Sequence, residues 1–190
     1  MGNLSIGTGS ASYYEWARKG RLYVAYATVT APVIWSTAAG TGGPLLWNNS
    51  AVGVTGAVNA VLLAVGVGIT TASTAASALG ITMNSGQPAA PTTTTAIDAV
   101  GNTYPGGGVP AACNTYRKGT VATAGAFFIP THTLDTAALT ANPMAMQWAD
   151  LGGAFIVPPG SWAAVAASAT ATTAVVDIGL LWAEVPRDLG

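Results

Sequence analysis

Between Ala60 and Thr70 the chain reads AVLLAVGVGIT, and large and small residues alternate along it. Val61, Leu63, Val65, Val67 and Ile69 take the odd positions. Ala60, Ala64, Gly66 and Gly68 take the even ones, with Leu62 the exception. A period of two belongs to a strand, and β-branched residues on the large face suit one. This stretch is expected to be the longest central strand, with Val61 through Ile69 in a core. Its small face has too little side chain to hold a ligand but lets another backbone approach, from the same chain or the next subunit.

The same alternation predicts strands elsewhere. In RLYVAYATVT (21–30), Leu22, Val24 and Tyr26 share a face. VIWS (33–36) and LLWN (45–48) read as short strands, and VATAGAFFIP (121–130) as another. TASTAASALG (71–80) is Ala-rich and reads as a helical turn. Residues 83–114, rich in Pro, Gly and Thr, read as long loops and irregular edge segments of the kind that carry contacts. Residues 154–186 read as strand, Pro-Pro-Gly turn, strand, hairpin and strand, with Val176, Ile178, Leu180 and Trp182 on one face and Glu184 and Pro186 as terminators. No long window shows a helical stripe and no fixed-period repeat occurs. Short strands joined by Gly/Pro turns predict an all-β fold, an antiparallel β-sandwich of jelly-roll type spanning residues 21–190. Residues 1–20 read as an N-terminal arm, with a capping box at Ser12–Glu15 opening a short helix that ends near Gly20.

Composition changes this picture in one respect. Charged residues make up 7% of the chain, against roughly 25% in ordinary soluble domains. None occurs from Leu22 to Ile97. Charge keeps protein surfaces apart, so an obligate oligomer or a component of a larger shell is expected. The net charge of -1 gives no general attraction to nucleic acid. Arg18, Lys19 and Arg21, with the pair Arg117 and Lys118, make no broad basic face. Val52 to Ile69 is long enough to suggest a membrane span, but its glycines, its strand period and the lack of flanking cations argue against one. The N-terminus has neither a basic region nor a continuous apolar run, so no secretory signal is expected.

Candidate chemistry is sparse. His132 is the sole histidine and Cys113 the sole cysteine, which argues against a transition-metal site and against an internal disulfide. His132 with Asp135 lacks the G-x-S-x-G of a nucleophile elbow. The carboxylates Glu15, Asp98, Asp135, Asp150, Asp177, Glu184 and Asp188 are scattered, without the local support a paired acid and base would have. Asp177, beside Gly179, is expected to meet solvent or a neighbouring subunit. Gly66-Val67-Gly68 lacks the third glycine and following acid of a dinucleotide fingerprint. No enzyme activity and no cofactor is expected. Of the six tryptophans, Trp162 and Trp182 are expected to share a core cluster on adjacent strands. Trp16, Trp35 and Trp148 suit an interface, with a sugar-stacking platform as the other reading.

The run FIVPPGSWAAVAASATATTAVVDIGLLWAEVP (155–186) resembles the closing hairpin of β-sandwich structural proteins encoded by tailed phages, and LLWNNSAVGVTGAVNAVLLAVGVGIT (45–70) is similar to their early strands. The resemblance implies a virion component, a capsid decoration (cement) protein of jelly-roll fold. It implies a homotrimer seated on the major capsid protein at the capsid surface, assembled in the host cytoplasm, with no direct nucleic-acid or membrane contact. It carries no catalytic residues. The expected partner interface comprises Tyr13, Tyr14, Trp16, Arg18, Lys19, Arg21, Trp35 and Trp148. The alternative is a receptor- or carbohydrate-binding jelly roll of a fibre or spike.

Overall fold

Alternating side chains of β1 (Leu22–Thr30) set the frame: Tyr23, Ala25, Ala27 and Val29 enter the core, while Val24, Tyr26, Thr28 and Thr30 face outward. In the computed structural model, residues 10–38, 43–51, 55–73, 75–106, 108–134, 146–170 and 173–187 are described. One helix, α1 (Ser10–Arg18), precedes β1. Then follow β2 (Leu45–Trp47), β3 (Val58–Thr71), β4 (Ser77–Asn84), β5 (Thr92–Ala96) and β6 (Ala99–Asn102). The chain continues with β7 (Asn114–Thr120), β8 (Phe127–Leu134), β9 (Gln147–Val157), β10 (Trp162–Ala167) and β11 (Val175–Pro186). No helix among the described residues is long and apolar enough to cross a membrane.

Two antiparallel sheets pack face to face. The first has the order β6-β1-β11-β3-β9 and the second β5-β7-β2-β10-β4-β8. Without β5, β6 and β7, the order β1-β11-β3-β9 opposite β2-β10-β4-β8 is the double Greek key of a jelly roll. The expected all-β sandwich is therefore present. Strands β5 to β7 form an insert between β4 and β8 that widens both sheets on the same flank: β6 joins β1, and β7 with β5 joins β2.

Several local expectations change. Residues 77–84 form a strand rather than a helical turn, because Leu79 and Ile81 alternate into the core. Gly80 lets β8 lie close: a Cβ there would run into the Ile129 carbonyl. The Thr/Pro/Gly-rich middle contains the short strands β5 and β6, and residues 33–36 contribute only a parallel bridge from Ile34 to Ala167. The apolar run near residue 121 becomes a strand only from Phe127. Strands β10 and β11 are no hairpin, since they lie in different sheets. Trp182 thus sits in the central core, whereas Trp162 packs with Leu45, Trp47, Val121 and Ala164 on the outer face of the second sheet. Glu184 does not end its strand: it is buried, and β11 runs on to Pro186.

The opening stretch departs most instructively. Leu181 pairs with Ala64 and Trp182 with Leu62, which leaves Leu63 as an extra residue in a bulge. The bulge switches the inward parity. Ala60 and Leu62 face the core before it, and Val65, Val67 and Ile69 after it. Val61 and Leu63, expected in the core, lie instead on the outer face beneath α1. Leu62, the break in the alternation, marks this switch in the sequence.

Candidate functional site

Helix α1 is tied to the first sheet by its own residues. Its C-terminus closes with a pair of bonds, Gly20 N–H to the Ala17 carbonyl at 2.8 Å and Arg21 N–H to the Trp16 carbonyl at 2.9 Å. Gly20 takes the left-handed φ of 64° that this cap requires. The turn lays Tyr13, Trp16 and Ala17 on Leu22, Leu63 and Ala183. The Tyr13 hydroxyl donates to Asp150 Oδ1 at 2.5 Å and approaches the Leu63 carbonyl at 3.2 Å. Burial, then Asp150, pushes the Tyr13 pKa up to about 12. The same hydrogen bond, with one from Gly152 N–H, holds the Asp150 carboxyl below its ordinary value. Tyr13 and Trp16 therefore dock on their own domain.

The rest of the expected interface divides. Tyr14 projects from α1 with 64% of its surface exposed. Arg18 pairs with Glu15 at 2.9 Å, and Lys19 Nζ lies 4.8 Å from the centre of the Trp16 ring. Arg21 is half-buried, its carbonyl accepting the Glu184 N–H. Trp148 lies farther along the same outer face. Trp35 is on the other side of the sandwich, stacked on Phe128 at 6.2 Å between ring centres, so the fold does not bring it to the others.

Trp148 answers what covers the small face of β3. Tyr26, Gly179, Gly66 and Trp148 form one row across β1, β11, β3 and β9. A Cβ on Gly66 or on Gly179 would come within 2.7 Å of the Trp148 ring. The indole thus lies over the two glycines, yet it remains 50% exposed. Asp177, two residues from Gly179 on the same strand, accepts from Thr28 Oγ1 at 2.7 Å.

Sequence reasoning missed several exposed apolar side chains on the edge strands. Among the described residues, strands β8 and β9 end the two sheets, on the flank opposite the insert. Phe127, 38% exposed, and Ile129, 40%, face inward with Met83 and Ile81, whereas Ile156, 50% exposed, faces outward with Val61. Across the gap Phe127 stacks on Phe155 at 6.3 Å, and His132 Nε2 lies 3.0 Å from the Gln147 carbonyl oxygen. Burial lowers the His132 pKa, against a smaller upward effect of that carbonyl. Pro130 was the available signal, because within sheets proline is confined to edges and bulges.

Titratable groups are otherwise held structurally. The Glu184 carboxylate, 1% exposed, accepts the N–H groups of Ala112 at 2.8 Å and Cys113 at 2.9 Å. Burial, then this neighbouring charge, pushes the Cys113 thiol up. Arg117 pairs with Asp98 beside a cleft of about 250 Å³ at the β1–β7 end. Asp98 also accepts the Thr28 N–H at 2.6 Å. Among the described residues no three His, Cys, Asp or Glu side chains group as metal ligands would.

No protein-family profile, curated protein or solved structure matches the chain.

Proposed function

We propose that this chain is a structural virion protein, a capsid decoration (cement) protein that binds as a homotrimer across major capsid subunits and stabilises the shell. One observation carries the reading: a jelly roll with 7% charged residues leaves Tyr14, Trp148, Ile156, Phe127 and Ile129 open on its surface. Exposed apolar surface of this kind marks interaction sites, and obligate interfaces are the more apolar class. Binding across several subunits stabilises the assembled state by mass action, and several weak contacts made at once add avidity.

The test is co-sedimentation with purified capsid shells, together with native mass measurement. Deleting residues 1–20 should abolish attachment, but it also uncovers Leu22, Leu63 and Ala183. Tyr14→Ala is the cleaner variant, since Tyr14 is exposed. Wild-type protein should pellet with shells, and the variant should pellet less. Attachment unchanged in both variants would remove the arm from the interface, and no attachment by the wild type would sink the decoration role.

The half-exposed Trp148 ring on its glycine floor favours a second reading, a carbohydrate-binding jelly roll of a fibre or spike. Aromatic faces stack on sugars, and Trp148→Ala should then abolish binding on a glycan array. Equal signals from the variant and the wild type would dismiss it.

A further inference from the structure

Among the described residues β5, β6, β8 and β9 end the two sheets, and three of the four are irregular. In β5 the pairing with β7 slips twice, and Thr93 takes a left-handed φ of 50°. Pro130 removes an N–H from β8, where pairing with β4 slips between Leu79 and Gly80. In β9, Gly152 and Gly153 take left-handed φ values of 59° and 75°. Irregularities of this kind keep an edge from pairing with other chains. Strand β6 has none of them: it pairs with β1 without a slip and contains no proline and no charge. Odd-numbered residues along β1 bond toward β11, as the flanking bonds from Glu184 N–H to the Arg21 carbonyl and from Ala31 N–H to the Ala174 carbonyl show. Even-numbered ones bond toward β6, and Thr103 N–H donates to the Leu22 carbonyl at 3.0 Å. Val100 and Asn102, opposite Ala25 and Tyr23, therefore turn their N–H and C=O groups to the outer edge.

The chain on either side of β6 leads away from that edge. Asp98, just before it, is held by Arg117 and the Thr28 N–H. After it, Val109 N–H donates to the Gly20 carbonyl at 3.0 Å, which turns the chain back toward α1. Beside the edge Val100 is 51% exposed and Val109 41%. They border a hollow of about 200 Å³ that Tyr23, Asn102 and Pro110 also line. Main-chain donors and acceptors along an edge are read by another extended backbone, and hollows beside them by its alternate side chains. Charge narrows the choice of backbone. Asn102 Nδ2 donates to the Gly20 carbonyl at 2.7 Å, and Gly20 stands between Lys19 and Arg21. With Arg18 these make three cations in residues 1–21 against Glu15 alone, so an acidic residue suits that end of the edge. We propose that β6 takes an extended segment of the major capsid protein as an added strand, with an apolar side chain in the hollow and an acidic residue beside Lys19. This rests on the decoration role proposed above and names the surface that performs it.

Co-sedimentation of full-length protein with purified capsid shells, with residue-resolved amide exchange, tests it. Val100→Pro deletes an N–H that β1 does not use, and it should weaken attachment at least ~10-fold. Val100→Thr keeps the N–H and should stay within ~3-fold of wild type. Lys19→Glu should weaken attachment at low salt. Slow exchange at Gly101 and Thr103 in the proline variant checks that β6 still pairs with β1. In the wild type, shells should slow exchange at Val100 and Asn102. A wild type that does not pellet overturns both this surface and the decoration role. Equal attachment by Val100→Pro and wild type, or unchanged exchange at Val100 and Asn102 on shells, overturns the surface alone. A smaller native mass for Val100→Pro overturns the capsid segment as occupant, because a second copy would then hold the edge. Attachment indifferent to Lys19→Glu overturns the acidic residue.

Discussion

The two flanks of this jelly roll solve the same problem with opposite chemistry. On the insert flank the chain closes its own edges with short strands and polar ties. Asp98 joins Arg117 and the Thr28 N–H, Asn102 Nδ2 donates to the Gly20 carbonyl at 2.7 Å, and Glu184 holds the Ala112 and Cys113 N–H groups. On the β8–β9 flank the described residues join the two sheets through the Phe127–Phe155 stack and the His132–Gln147 contact, with Phe127 and Ile129 partly exposed. The difference teaches where a charge-poor protein spends its few charges. They secure an edge that the chain itself completes, whereas strands β8 and β9 carry only Asp150.

The largest test of this contrast is Glu184→Ala. It strands two backbone N–H groups in the interior, and a buried donor left unpaired costs about 1–3 kcal/mol. A loss of roughly 3 kcal/mol or more is expected in urea denaturation, with amide exchange accelerating first near residues 108–113. Glu184→Gln keeps an acceptor and should lose clearly less. Equal losses for the two variants would mean that the carboxylate is not anchoring the insert through these bonds.

Gly80→Ala strikes the other flank. The new Cβ meets the Ile129 carbonyl, backbone that cannot swing aside, and overpacking of this kind costs roughly 1–3 kcal/mol. Exchange should rise along β8 while β7 stays protected. If both strands loosen together, the flanks are one cooperative unit and the contrast fails.

The smallest effect is one of pH. His132 has its folded pKa below the ordinary value of 6.5, so the unfolded chain binds the proton more tightly. The stability it contributes is present above pH 6.5 and is lost as pH falls from there through the folded pKa. The wild-type denaturation midpoint should decline over that interval, and His132→Gln should flatten the decline. Identical slopes would show that the imidazole is not titrating between β8 and β9.

Much of this was legible in the sequence. Period-two alternation identified β1, β3 and the inner face of β11, because strands with one buried face must alternate. The Schellman-type end of α1 was readable from Gly20, where only glycine adopts the required backbone cheaply. Alternation along one strand does not say which strand lies beside it, so Trp162 and Trp182 were joined in a hairpin although β10 and β11 belong to different sheets. Nor does it reveal a bulge, except as the single misfit Leu62. Of the expected interface, Tyr14 and Trp148 are open, Tyr13 and Trp16 are docked on their own sheet, and Trp35 lies on the far side.

The sequence by itself determined the fold class and the scarcity of charge, since both follow from local pattern and composition. Only the tertiary structure decided which apolar residues are covered. Val61 and Leu63 go under α1, Gly66 and Gly179 under Trp148, while Phe127, Ile129 and Ile156 stay 38–50% exposed. Burial depends on which strands become neighbours, and that is set by long-range pairing rather than by any residue's own preference.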